Sequence, residues 1–328
     1  VTGRLSWRKL VRAALLSIAL VGVLLWLSGF VFRTLVPHEN DQSKNLFSAR
    51  LHHATAVVHL DKLPAPLTET ERRRDRLAVI LDRKSIRVGV RSDVLPFVFT
   101  NLQGELVGFD MTLLHDLAQD LDVHLHVVQV DRSQRGELLD NGGIDILAGG
   151  IAVTPDNVNF GTFPMPYLDQ TAALVVPDHR RGEFTDLKII RSMKKLKIAV
   201  HSEYYLQRLK HVLPDAEYVL VDSIEGFLKG EMPDVDALLY TAEAGSAWTF
   251  LYPQNAVVVP EGFRVKVPTG FLIPTGSDRF YDFMNTWMVL KVKNGQIAEA
   301  YDRWILGQGV TAQELRWSVV RNVLHWVD

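Results

Sequence analysis

The sequence predicts an α/β protein built as two similar lobes behind a membrane-spanning N-terminal helix. Two observations predict the lobes. From Ile86 onward, short apolar runs of strand type alternate with stretches whose apolar residues recur every three or four positions, and a second series of the same kind starts near Leu196. That alternation calls for mainly parallel sheets with crossover helices, whose ligands bind beyond the carboxyl ends of the strands. A third observation predicts the helix: Ala13–Phe32 (AALLSIALVGVLLWLSGFVF) is uncharged, apolar and about as long as a bilayer core is thick.

Composition narrows the function classes. With 328 residues, 47% hydrophobic and 23% charged, the chain is long enough for a two-domain soluble core plus extras. Its 36 basic and 38 acidic side chains leave a formal net charge of −2, too little field to gather nucleic acid. There is no cysteine, which excludes thiol catalysis, disulfide frameworks, zinc–thiolate sites and the acylated cysteine of a lipoprotein.

Taken in order, residues 1–12 are cytoplasmic, because Arg4, Arg8, Lys9 and Arg12 precede the apolar run and only Arg33 follows it closely. The spanning helix is expected over residues 13–35; the alternative is a cleaved signal peptide, against which stand the length of the run and the lack of a small-x-small cleavage site before Arg33. The chain opens on Val1, which leaves an alternative start codon or a fragment of a longer protein open. Residues 36–85 are read as a linker, with no sustained periodicity from Pro37 to Pro66, ending in a short helix at Thr68–Arg83 capped by Thr68 or Thr70.

Strand Ile86–Val90 then leads to a turn at Asn101–Gly104, a helix at Asp110–Leu121 capped by Asp110, strand Leu125–Val130 and buried strand Ile144–Ala148, which enters Gly149-Gly150. The second series reads strand Lys197–Val200, helix Tyr204–Val212, strand Tyr218–Val221, helix Ile224–Lys229 and strand Ala237–Tyr240. Strand Thr269–Ile273 and helices Phe280–Lys293 and Ile297–Trp304 return to the first lobe. Residues 309–328 form an amphipathic helix with a Thr311/Glu314 capping box, suited to packing on the domain or to contact with a membrane surface or partner.

Four phrases, in this order and spacing, carry a family likeness: IRVGVRSDVLPFVF (Ile86–Phe99), GELVGFDMTLLHDLAQDLDV (Gly104–Val123), GIDILAGGIAVTPDNVNFGTFPMPYLD (Gly143–Asp169) and VPTGFLIPTGSDRFYDFMNTWM (Val267–Met288). Over roughly Ile86–Gly307 the chain resembles the bacterial periplasmic solute-binding proteins of family 3, the polar amino-acid-binding components of ABC importers. The resemblance implies a two-lobed periplasmic-binding-protein fold of type II: lobe 1 at residues 86–177 and 263–308, lobe 2 at 178–262, crossings at Ala172–Val176 and Val265–Phe271, and closure around ligand as the working motion. It implies a small-molecule ligand and no cofactor, metal or covalent chemistry.

The resemblance also assigns cleft residues. The family's Thr-Pro-Glu-Arg turn supplies an arginine that forks onto the ligand α-carboxylate; here the turn reads Thr154-Pro155-Asp156-Asn157, so Asn157 takes the arginine's place, with Gly150 and Ala152 where small polar residues usually help. In the second lobe Thr241 stands where the family often places an acidic residue for the ligand ammonium, and Glu243 is the nearest carboxylate. The turn opening that lobe's first helix is His201-Ser202-Glu203-Tyr204, whose amides remain able to face ligand oxygens. Arg91 replaces an acidic or small polar residue, and reads either as a new anion clamp or as a surface partner of Asp93; Phe97 reads as a cleft aromatic or as core.

These readings combine into a periplasmic, single-pass, inner-membrane solute-binding domain that captures an amino acid or organic acid. It would serve an ABC permease or an associated symporter, since the linker resembles domains appended to cation:dicarboxylate symporters. Two alternatives stay open on the same fold. One is a cyclohexadienyl-dehydratase-like enzyme with Glu243 or Glu203 as general acid; the other is a sensor input domain. His124 and His126 lie two apart on a strand without a third ligand, which does not make a metal site.

Overall fold

The computed structural model describes residues 17, 46–51, 57–60, 62–91 and 94–307. The predicted membrane helix (apart from Ser17), Asp93 and the predicted C-terminal helix lie outside them. Among the described residues no helix is long and apolar enough to cross a membrane.

The first sheet is four-stranded and wholly parallel. Its strands are β1 (Val57–Leu60), β2 (Ser85–Val90), β5 (His124–Gln129) and β6 (Ile146–Ala148), in the order β1-β5-β2-β6. Central β2 is buried along nearly its whole length, with Ile86 and Val88 fully buried and only Arg87 half-buried; Val88 is registered against Val127 on one side and Ile146 on the other. A short hairpin, β3 (Phe99–Thr100) and β4 (Leu106–Val107), follows β2. Strand β1 corrects the expectation of an aperiodic linker, since the Val57–Leu60 segment adds a parallel edge to β5.

The predicted Thr68–Arg83 helix is two helices, α1 (Glu69–Arg72) and α2 (Arg76–Arg83). Thr68 and Glu71 close a capping box on α1, and Asp75 restarts the chain by accepting from the amide of Leu77. Helix α3 (Phe109–Asp120) places Leu113, Leu114 and Leu117 against the sheet, each fully buried and worth roughly 1.5–3 kcal/mol. Its N-cap is Gly108, at φ 128, not Asp110; a side chain at Gly108 would sit 2.3 Å from the Phe97 carbonyl oxygen. Helices α4 (Arg135–Asn141) and α5 (Pro155–Val158) follow β5 and β6.

The second sheet has the order β11-β7-β10-β8-β9, with β12 also on β7. Strands β8 (Lys197–Val200), β9 (Glu217–Leu220) and β10 (Ala237–Thr241) run parallel, linked by helices α7 (Glu203–Val212) and α8 (Glu225–Leu228); α6 (Leu187–Ser192) precedes them and α9 (Ala242–Thr249) follows. Strand β11 (Asn255–Val258) lies antiparallel to β7 (Leu168–Pro177), and so does β12 (Lys266–Thr269). The predicted strand at Thr269–Ile273 is thus shifted towards β12, leaving Leu272 and Ile273 as single bridges to Leu147 and Thr162.

Strand β7 serves two neighbourhoods. Leu168–Thr171 pair with β12, whereas Ala172–Val175 pair with β10 and Leu174–Pro177 with β11. Helices α10 (Asp278–Lys293) and α11 (Gln296–Trp304) then cover α3, where Trp287 and Trp304 donate their indole N–H groups to Asp120 and Thr112, each at 2.8 Å.

Candidate functional site

A cavity of about 140 Å³ opens at the carboxyl ends of the strands of both sheets, as expected of parallel strands. That is room for several water molecules or one small metabolite. One wall comes from the loops after β2, β5 and β6 together with the start of α5, the other from the segments after β8 and β10. The floor holds Gln170 and Ala172 of β7 and Val267 of β12.

The first wall is positioned by a buried carboxylate. Asp110, fully buried at the start of α3, accepts from the amides of Gly149 at 2.7 Å and Gly150 at 2.9 Å and from the Tyr167 hydroxyl at 2.6 Å. Burial raises its pKa to about 6, with those hydrogen bonds pulling the other way. Gly150 sits at φ 64, where an added side chain would meet the Phe97 ring at 2.6 Å. Phe97 is therefore both a core ring, edge-on to Phe109 at 6.1 Å, and part of the wall.

Thr154 caps α5 by accepting from the Asn157 amide at 3.3 Å, and Asn157 donates its side-chain N–H to the Ala152 carbonyl at 2.7 Å. The residue in the arginine's place is thus bound to its own loop. Arg91, Phe97, Gly150, Ala152, Thr154, Asn157, Ser202 and Thr241 all line the cavity.

Other expected site residues are placed elsewhere. Glu203 and Tyr204 are off the wall: Glu203 is exposed and accepts from Gln207, and Tyr204 carries Arg208 across its ring. Successive helical residues point about 100° apart, so it is Tyr205 that faces inward. Glu243 is 2% exposed and also off the wall, accepting from the Thr171 amide at 2.8 Å; burial is the main cause of its raised pKa. Asp93 lies outside the described residues.

A polar chain joins the far wall to the floor. The Thr241 hydroxyl donates to Gln170 Oε1 at 2.6 Å while capping α9, and Gln170 Nε2 donates to Thr269 Oγ1 at 2.7 Å. Beside it, His201 stands edge-on to Tyr240, with ring centroids 5.6 Å apart. Burial, then the charges of Arg91 and Arg132, push its pKa down to about 4, so the ring is neutral at pH 7.

Arg132, Arg135, Tyr205 and Gln170 escaped the sequence reading, and His201 entered it only as the first residue of the turn before α7, although all five line the cavity. A signal was present for Arg132, which lies in the loop at the carboxyl end of β5 as Arg91 lies at that of β2.

Residues 86–307 match the family model described as bacterial extracellular solute-binding proteins, family 3. A cyclohexadienyl dehydratase of Pseudomonas aeruginosa is 21% identical over 261 residues, covering 74% of this chain and 89% of that protein. An ABC transporter glutamine-binding protein of Bacillus subtilis is 24% identical over 279 residues, 80% of this chain and 97% of the relative. Among solved structures, an ancestral amino acid-binding protein described as a precursor of cyclohexadienyl dehydratase superposes with a TM-score of 0.60 at 25% identity, covering 70% of this chain and 99% of that one.

Proposed function

This chain belongs to the bacterial extracellular solute-binding proteins, family 3, and from that premise we propose that it captures a small polar or anionic solute, an amino acid or organic acid, outside the cytoplasm and hands it to a membrane transporter. The observation that carries the proposal is a cavity bounded by the strand ends of both sheets, with β7 and β12 of the second sheet along its floor. Ligand touching both walls would favour the closed arrangement by its differential affinity for it. Lobe 1 is residues 86–177 and 263–308 and lobe 2 is 178–262, with the crossings on β7 and β12. Ala13–Phe32 is the tether, which leaves the binding domain in the periplasm.

Turnover on this fold is the competing reading, prompted by the dehydratase relative. It asks for a proton donor on the wall, and the two glutamates considered for that role, Glu203 and Glu243, are both off it. Binding without chemistry is the reading the site supports better. Incubating the full chain with amino acids and organic acids, then comparing melting temperature and ligand mass, separates the two. Capture raises the melting temperature and returns the ligand unchanged, because a ligand that binds only the folded state stabilises it. A changed ligand mass would establish the enzyme, and the absence of any shift across both ligand classes would remove the binding function.

A further inference from the structure

Three guanidinium groups share the first wall. Arg91 follows β2, Arg132 follows β5 and Arg135 begins α4. They are close enough to act on one another, since the charges of Arg132 and Arg91, after burial, lower the pKa of Arg135. Among the described residues none of the three has a carboxylate within ion-pair distance. Arg135 lies over the Phe160 ring at 5.1 Å, with its Nε buried and unpartnered. The lining also holds Asp131 and Asp156, both exposed, so cations outnumber anions on this wall.

The opposite wall has no carboxylate, as Glu203 and Glu243 both lie off it. It presents instead the start of the ten-residue helix α7. Thr154 and Thr241 close their own helices with hydroxyl caps, whereas Ser202 makes no such hydrogen bond. Free amides at a helix start attract anions. Next to them His201 Nδ1 is buried without a partner. An ammonium would therefore meet no anion on this side and an excess of cations on the other.

We infer that the cavity takes a small organic dianion, one acid group on the Arg91, Arg132 and Arg135 wall and the other at Ser202 and the start of α7, and that it discriminates against a free ammonium. The inference rests on the solute-binding reading above and names its substrate class. Guanidinium pairs with carboxylate or phosphate through parallel N–H donors, which accounts for arginine at all three positions. Charge at both ends of the ligand would engage both walls at once, the arrangement that closure requires.

Calorimetry on the full chain would use succinate and glutarate, a phosphorylated carboxylic acid, inorganic phosphate, glutamine and lysine as separate ligands. The dicarboxylates or the phosphorylated acid should bind, the better of the two identifying the second acid group, while glutamine and lysine should not. Arg91→Gln and Arg132→Gln should each weaken dianion binding by about tenfold or more. Neither should lower the melting temperature of the ligand-free protein, because each removes a repelled charge; a drop there would mark a structural arginine and overturn the assignment. Glutamine or lysine binding in place of the dianions would overturn the inference while leaving solute binding intact. Inorganic phosphate binding as tightly as the dianions would remove the need for a second pole. No binding by any ligand would remove both this inference and the reading beneath it.

Discussion

Two sets of arginines around the first sheet are built on opposite principles. Around Asp145, which is fully buried, Arg76 donates at 3.2 Å, Arg83 donates from the other side, and the Arg87 amide donates at 2.8 Å. Arg76 also reaches the Ile144 carbonyl at 3.0 Å, locking α2 to the loop before β6. Around the cavity, Arg91, Arg132 and Arg135 converge with no carboxylate in ion-pair contact among the described residues. Equal in residue type, the sets differ in what neutralises them: an internal aspartate serves the fold, whereas a missing counter-charge is what a ligand can supply.

Four measurements sharpen or break that contrast. Asp145→Ala should have the largest effect, since it strands a buried arginine; a loss of about 3–5 kcal/mol in denaturant unfolding is expected, and a loss under ~1 kcal/mol would show that the cluster is not a structural lock. Next comes Asp110. Its folded pKa of about 6 lies above the ordinary 3.8, so its contribution is fully present below about pH 4 and is lost as pH rises through 6. The stability of wild type relative to Asp110→Asn should thus fall by on the order of 3 kcal/mol between pH 4 and 7, and a flat difference would contradict the assigned shift.

Thr241→Val removes the α9 cap and one end of the Thr241–Gln170–Thr269 chain together, for ~1–2 kcal/mol in thermal unfolding. No loss would mean that water replaces the hydroxyl. Arg132→Gln is the smallest. Exposed, and with no ion-pair partner among the described residues, Arg132 should change ligand-free stability by no more than about 0.5 kcal/mol, and a larger loss would place it with the Asp145 set.

Much of the fold was legible because burial leaves a pattern. Ile144–Ala148 and Ala237–Tyr240 read as strands since covered parallel strands are continuously apolar, and the observed β6 and β10 fall on those segments. Strand β1 was illegible because its inner pair, Val58 and His59, is exposed and even its ends are only half-buried, so no buried apolar pattern marks it. For the cavity, a loop position before a helix sufficed to bring out Thr154 and Ser202. It failed for Arg132 and Arg135, which look like ordinary solvated charges until the sheet order puts β5 beside β2. The choice between Tyr204 and Tyr205 depended on a helical phase that the turn alone does not fix.

The division of β7 has a mechanical corollary. Ala172–Val175 are laddered to β10 and Leu174–Pro177 to β11, overlapping at Leu174 and Val175, but Leu168–Thr171 have a strand partner only in β12. Under the proposed closure, that four-residue ribbon, laddered on one side only, is where twisting would meet least resistance. A proline at Gln170 would both sever the hydroxyl–amide relay and remove a backbone donor from that ribbon.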